Sequence, residues 1–298
     1  MFMRVPLPLL GAFGGLSLAA CAVPAPDAGE ARDTRESSAT ATAIIAVERT
    51  AGPGDAVRGD AVVARFVRVT QGIVDEPALR IAGVGQDFPA PGACIVPSDQ
   101  SVAQAPRRAD SYGTVELLDV GQVTLASGSD LRDALATKST VLLPRAMPDP
   151  AGVVSGVFYS SRSADVFTPG ARVTLRSSGG ADLLEGFNVS VTAPRDVTDV
   201  RVANLPGTGV EVAWDAIDAD AHDVVYVDVL SPSPRVIARC GGTDAGRLVI
   251  PQASVAAMRD GEEGQIVVHR LHREAFRSKG IEPGEVRFDV ARVVTFRR

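Results

Sequence analysis

Apolar positions along much of the chain recur at every second residue. Val173 and Leu175 alternate with Arg172, Thr174 and Arg176, and Phe187, Val189 and Val191 alternate with Asn188, Ser190 and Thr192. A period of two puts each apolar set on one side of a pleated strand, so both runs predict strands with one buried face. Ser177-Ser178-Gly179-Gly180 between them predicts the turn of a hairpin or meander. Farther on, Val210, Val212 and Trp214 share a face against Glu211, Ala213 and Asp215. Strands are also predicted through Val224 to Leu230, Leu248 to Ile250 and Ile266 to Leu271. The last, Val286 to Phe296, places Val286, Phe288, Val290, Val294 and Phe296 on a common face. Ala253 to Met258 predicts a short helical turn. From about Ala61 onward the apolar runs are short, punctuated by Gly, Pro and Asp, and lack a long helical period, which predicts antiparallel β structure.

The amino terminus has a different pattern. Met1 to Arg4 is a short positive region, Val5 to Ala20 is an apolar run, and small residues precede Cys21; these are the three parts of a signal peptide. The run contains Pro6 and Pro8 and falls short of the roughly 20 apolar residues of a transmembrane helix. After Cys21 the chain is rich in Ala, Pro, Asp, Glu, Ser and Thr, with almost no bulky apolar residue until Ile44 and Ile45. Such a composition buries too little surface to offset its ordering entropy and predicts a disordered tether. The organisation expected is therefore all-β, with two antiparallel sandwich-like modules after a signal peptide and tether. The divisions are a signal peptide at 1–20, an anchor residue and tether at 21–50, a β-rich domain at 51–193 and a second module at 194–298.

Leu18-Ala19-Ala20-Cys21 resembles the lipobox of bacterial lipoproteins. The resemblance implies that the Cys21 thiol receives diacylglycerol, that a peptidase cuts before it, and that a membrane is the partner through the lipid anchor. Each buried methylene contributes about 0.8 kcal/mol, so the two or three chains of that family hold firmly where one would bind marginally. Ala22 in place of Asp implies the outer membrane of the cell envelope. Pro194, Val200, Val202, Val210, Val212, Trp214, Tyr226, Val227 and Val229 resemble the first three strands of a fibronectin type III or related immunoglobulin-like sandwich. Ile250-Pro251 and the helical turn after it depart from that pattern.

Composition narrows the functions. Aromatic residues make up 5% of the chain, so the core is expected to be built from Val, Leu, Ile and Ala. A formal charge of -6 gives no electrostatic basis for nucleic-acid binding. Lipidation of Cys21 would leave Cys94 and Cys240 as an even pair in an oxidising compartment, for which a disulfide is the economical reading and two buried thiols the alternative. His269 and His272, three apart on a strand, fall on opposite faces and cannot readily share a metal. With His222 they are the three histidines of the chain. Asp218, Asp220 and Asp223 form the one metal candidate, a carboxylate loop suited to calcium, although its spacing departs from an EF-hand. Gly83-Val84-Gly85 lacks the third glycine of a dinucleotide turn, and Pro89 and Pro91 oppose the helix that turn needs. No cofactor is implied. The expected role is non-enzymatic binding or structure in the envelope, with an envelope protein or polysaccharide as partner. The competing expectation is an envelope hydrolase whose site is assembled from distant strands around one of the histidines.

Overall fold

Alternating apolar residues dictate strands through nearly the whole structure. The computed structural model describes residues 41–52, 57–70, 76–83, 88–97, 114–128, 138–147, 154–163, 166–216, 223–233 and 235–298. In chain order the elements are β1 (Ala41–Ala51), β2 (Val57–Thr70), α1 (Glu76–Ile81), β3 (Cys94–Ile95), β4 (Thr114–Leu117), β5 (Val123–Gly128), β6 (Lys138–Ala146) and β7 (Val154–Ser163). There follow β8 (Arg172–Ser177), β9 (Asn188–Thr192), β10 (Arg201–Leu205), β11 (Gly209–Ala213), β12 (Asp223–Leu230), β13 (Val236–Gly242) and β14 (Arg247–Pro251). A 3-10 turn (Gln252–Val255) precedes the long β15 (Glu263–Ser278) and β16 (Ile281–Arg297).

The protein is all-β and sandwich-like, as the alternation predicts. Thirteen strands join in the order β3-β13-β12-β15-β16-β1-β2-β4-β7-β6-β5-β8-β9, with β2 also pairing β7. A second sheet has the order β10-β11-β14. Pairing is antiparallel except where β1 runs parallel to β16 and β4 parallel to β7. One core gathers residues from all parts of the sheet: Ile45 and Val47, Phe66, Leu125, Val173 and Leu175, Phe288 and Val290, together with Val212, Trp214 and Ile250. Ring contacts mark the closest approaches. Phe66 lies 5.5 Å from Phe187, and Phe167 lies 5.5 Å from Phe288.

Several expectations are met in detail. Val173 pairs Val191 and Leu175 pairs Val189 across β8 and β9. The residues from Val286 to Phe296 that were expected to share a face all belong to this core or pack against it. Trp214 is buried, and the helical turn begins at Gln252.

The tether expected at 21–50 is corrected over residues 41–50, which form most of β1, while 21–40 lie outside the described residues. Ala41, Ala43, Ile45 and Val47 alternate inward and are essentially fully buried, so short alanines satisfy a closely packed strand that a search for bulky apolar residues passes over. β1 lies between β16 and β2, which carries one sheet across the expected boundary at 194. Residues 38–298 accordingly form a single compact unit. The signal peptide and Cys21 lie outside the described residues.

Within 194–298, one buried cation joins β15 to the segments around it. Arg270, on β15, is 1% exposed. Its Nε donates to Asp244 Oδ2 at 2.7 Å, and its two Nη atoms donate to the carbonyls of Arg195, Asp196 and Asp215. Asp244 also accepts the Trp214 indole N–H at 2.6 Å. A guanidinium has five donors in a fixed fork, and here they are spread over four acceptors from three segments, around 195–196, 215 and 244. Asp244→Ala should therefore destabilise the fold by about 3–5 kcal/mol, since it leaves an uncompensated buried charge. Chemical denaturation checks this, and a loss below about 1 kcal/mol would show that the network is not needed for stability.

A polar cluster as candidate functional site

The face of the large sheet opposite the core carries charge where solvent-facing positions were expected. Register builds the cluster: Tyr226 on β12 sits opposite His269 on β15, while Asp289 on β16 sits opposite Glu48 on β1. The His269 ring stacks on the Tyr226 ring at 4.2 Å between centroids, with 9° between planes. His269 Nδ1 is 2.9 Å from Asp289 Oδ1, and the Tyr226 hydroxyl donates to Asp289 Oδ2 at 2.5 Å. On the other side, His269 Nε2 lies 3.8 Å from Asp228 Oδ2. Arg239 grips Asp228 through two 2.8 Å bonds and lies over the Tyr226 ring at 4.7 Å.

Residues 88–97 cover part of this cluster. Phe88 packs 5.1 Å from Tyr226, and Arg273 lies over Phe88 at 5.2 Å. Opposite Tyr226, Gly241 lets the covering segment come close: the Pro89 carbonyl oxygen is 2.3 Å from where a Cβ would stand. The Cys94–Cys240 disulfide fastens the segment, with the two cysteines directly paired across β3 and β13 at a Cα–Cα distance of 4.0 Å. Of the two states open to those cysteines, the bonded one is found.

Electrostatics follow from burial and contact. Burial, then the charge of Asp289 and the hydrogen bond to it, push the Tyr226 phenol well above its ordinary value, so it remains a donor. For Asp289 itself burial acts upward, but His269, the Tyr226 hydrogen bond and Arg239 outweigh it and hold the carboxyl below its usual range. The Glu48 carboxyl is raised, first by desolvation and then by the nearby Asp289. Hydrogen bonding to Asp228 raises the Arg239 guanidinium. Two carboxylates, Asp228 and Asp289, thus face Arg239 and an imidazole in a network whose members partner one another, which fixes the relative positions of four strands, β12, β13, β15 and β16.

The other residues singled out from sequence lie elsewhere. His272 points to the opposite face from His269, as its spacing requires; its Nδ1 is 2.6 Å from Asp223 Oδ1, and its ring is 6.5 Å from core residue Phe288. Asp223 is thereby engaged, while Asp218, Asp220 and His222 lie outside the described residues. A separate groove of about 360 Å³ opens where β6 passes from β5 to β7; Val141, Leu143, Pro144, Val157 and Tyr159 line it, with Asp119 at one end. Val141 and Leu143 are 44% and 56% exposed there. Burial pushes the Tyr159 phenol up to about 12, and it donates to Asp119 Oδ1 at 2.9 Å.

Sequence reasoning found the faces but not the cluster. Asp228 and Asp289 interrupt Val-rich strands at period-two positions, which is the signal of a polar face. Their convergence on His269 depends on the register of β12 and β16 against β15, which the pattern of one strand does not contain. Compared with family models and with curated proteins, the chain matches none. Among the described residues, no helix is long and apolar enough to cross a membrane.

The lowered Asp289 value sets the sign of a pH effect. A carboxyl whose folded value lies below its unfolded value of about 3.8 stabilises the fold above that pH, and the contribution disappears as pH falls through the folded value. Asp289→Asn should cost about 1–3 kcal/mol at pH 7, the range for hydrogen bonds to charged groups. Its deficit relative to the parent should narrow below about pH 4. Melting temperatures from pH 7 to pH 3 check this; a constant deficit would assign the loss to packing instead.

Proposed function

We propose that this chain is a lipid-anchored protein of the bacterial envelope with a non-enzymatic binding or structural role. The observation that carries the reading is the use of the cysteines. Cys94 and Cys240 bond to each other within the fold, so the third, Cys21, is claimed by no disulfide within the chain and stands in the lipobox-like Leu18-Ala19-Ala20-Cys21. A disulfide between β3 and β13 also suits an oxidising compartment. The layer arrangement adds support: β10-β11-β14 opposite β13-β12-β15-β16 is the three-over-four division of a fibronectin type III-like sandwich. Sandwiches of this kind present loops and sheet edges to partners. Here β10 and β14 flank the three-stranded sheet, and Val249 on β14 is 41% exposed. An envelope protein or polysaccharide is the class of partner proposed.

Cys21→Ser expressed in a bacterial host tests the anchor. The parent should incorporate labelled fatty acid and sediment with membranes, whereas the variant should lose the label and become soluble. Membrane retention of an unlabelled parent, or of the variant, would contradict the proposal.

A further inference from the structure

Beside the histidine cluster, the same outer face gathers arginines whose donors are incompletely used. Arg273 on β15 and Arg287 on β16 are directly opposite one another across the hairpin, and Arg287 in turn pairs Ala46 on β1. Arg65 on β2 pairs Ile44, one diagonal step from Ala46, and so projects from the same face. The tips of two of these side chains meet at the end of α1: Arg287 Nη1 donates to the Gly83 carbonyl at 3.0 Å, and Arg65 Nη1 lies 2.8 Å from where a Gly83 Cβ would stand. Gly83 has a φ of +77°, so a side chain there is disfavoured on backbone grounds as well.

Like charges placed directly opposite on a sheet repel, and a buried donor without an acceptor is costly. Both conditions hold. Nε of Arg65 and Nε of Arg273 are buried and meet no hydrogen-bond acceptor among the described residues. Nearby carboxylates account for part of the charge: Glu285 is hydrogen-bonded to Arg287, and Glu48 acts on Arg65 at longer range. Arg273 is held by the face of Phe88, an apolar ring that takes none of its N–H groups. All three side chains are only partly exposed.

We propose that Arg65, Arg273 and Arg287 form a receptor for a phosphate-type oxyanion. Guanidinium groups match such an ion through paired N–H donors, and the ion would satisfy the orphaned Nε atoms while relieving repulsion between Arg273 and Arg287. The inference stands apart from the lipid anchor, because it uses no residue before Ile44. The oxyanion can be a free phosphate group or the phosphate of a lipid headgroup; the chemistry recognised is the same.

The test uses the full chain carrying Cys21→Ser, so that lipid insertion does not obscure binding. Inorganic phosphate should raise its melting temperature in a saturable way that chloride at matched ionic strength does not reproduce. Arg273→Gln should weaken the apparent phosphate affinity by about tenfold or more. Without phosphate, this variant should melt no lower than the parent, because it removes one of two facing charges. Arg65→Lys, which keeps charge but loses the fork, should fall between them. Co-sedimentation with vesicles of phosphatidylglycerol against phosphatidylcholine separates the two sources: an Arg273-dependent preference for phosphatidylglycerol assigns a headgroup, and saturation by phosphate without vesicle preference assigns a free anion. Equal responses to phosphate and chloride together with no Arg273-dependent vesicle preference, unchanged affinity in a folded Arg273→Gln, or a phosphate-free Arg273→Gln that is clearly destabilised would each overturn the proposal.

Discussion

The parallel pairing of β1 with β16 is the constraint on which the rest of the architecture depends. Ten register positions join the first described strand to the last, from Ala41 opposite Ile281 to Ala51 opposite Arg292. Parallel partners cannot be joined by a tight turn, and here the connection between them is all of the intervening chain. The pairing also removes the exposed edge that β16 would present as the outer strand of a four-stranded layer, and such edges are templates for unwanted association. β1 then offers its other side to β2, and the N-terminal half of the protein grows from that edge.

Closing the sheet in this way explains the length of β15 and β16, which run for 16 and 17 residues. One part of the hairpin packs against the C-terminal three-stranded sheet through Ile266 and Val268; another reaches into the N-terminal half, where Phe276 lies 6.1 Å from Phe187. A hairpin that serves both halves carries a mostly apolar inner face, on which Arg270 is the buried exception. Its outer face is free of that demand, and there His269, Arg273, Arg287 and Asp289 collect. Chain entry is fixed at the same place, since the Ala41 N–H donates to the Gly280 carbonyl in the turn between β15 and β16.

Period-two patterning made the strand faces legible before any coordinates. The alternations around Val173, Val191, Val212 and Phe288 report burial directly, because each residue's environment is set by which side of its own strand it occupies. β1 was hidden for the same reason in reverse: Ala41 and Ala43 are buried, yet their composition matches that of the Ala-, Ser- and Thr-rich sequence before them. The histidine cluster was illegible for a different physical cause. Tyr226, His269 and Asp289 come together through the register of β12 and β16 against β15, and no single strand's pattern encodes that register. Cys94 and Cys240 lie between these cases, since their number suggested a bond while their adjacency on β3 and β13 required the fold.

Arg270 and Arg273 show how little residue type says without its side of the sheet. They are three apart on β15 and therefore point in opposite directions. Arg270 enters the core, where an unpaired charge would be prohibitive, and Asp244 with three carbonyls has been assembled around it. Arg273 faces outward, where partial access to water weakens that penalty, and the fold tolerates a second arginine directly opposite and an Nε without an acceptor. The inward residue is thus completed by its own chain, and its donors are consumed in holding the layers together. The outward one retains unused hydrogen-bonding capacity on a side chain that is partly exposed, which is the physical distinction between a charge that serves the fold and a charge available to something else.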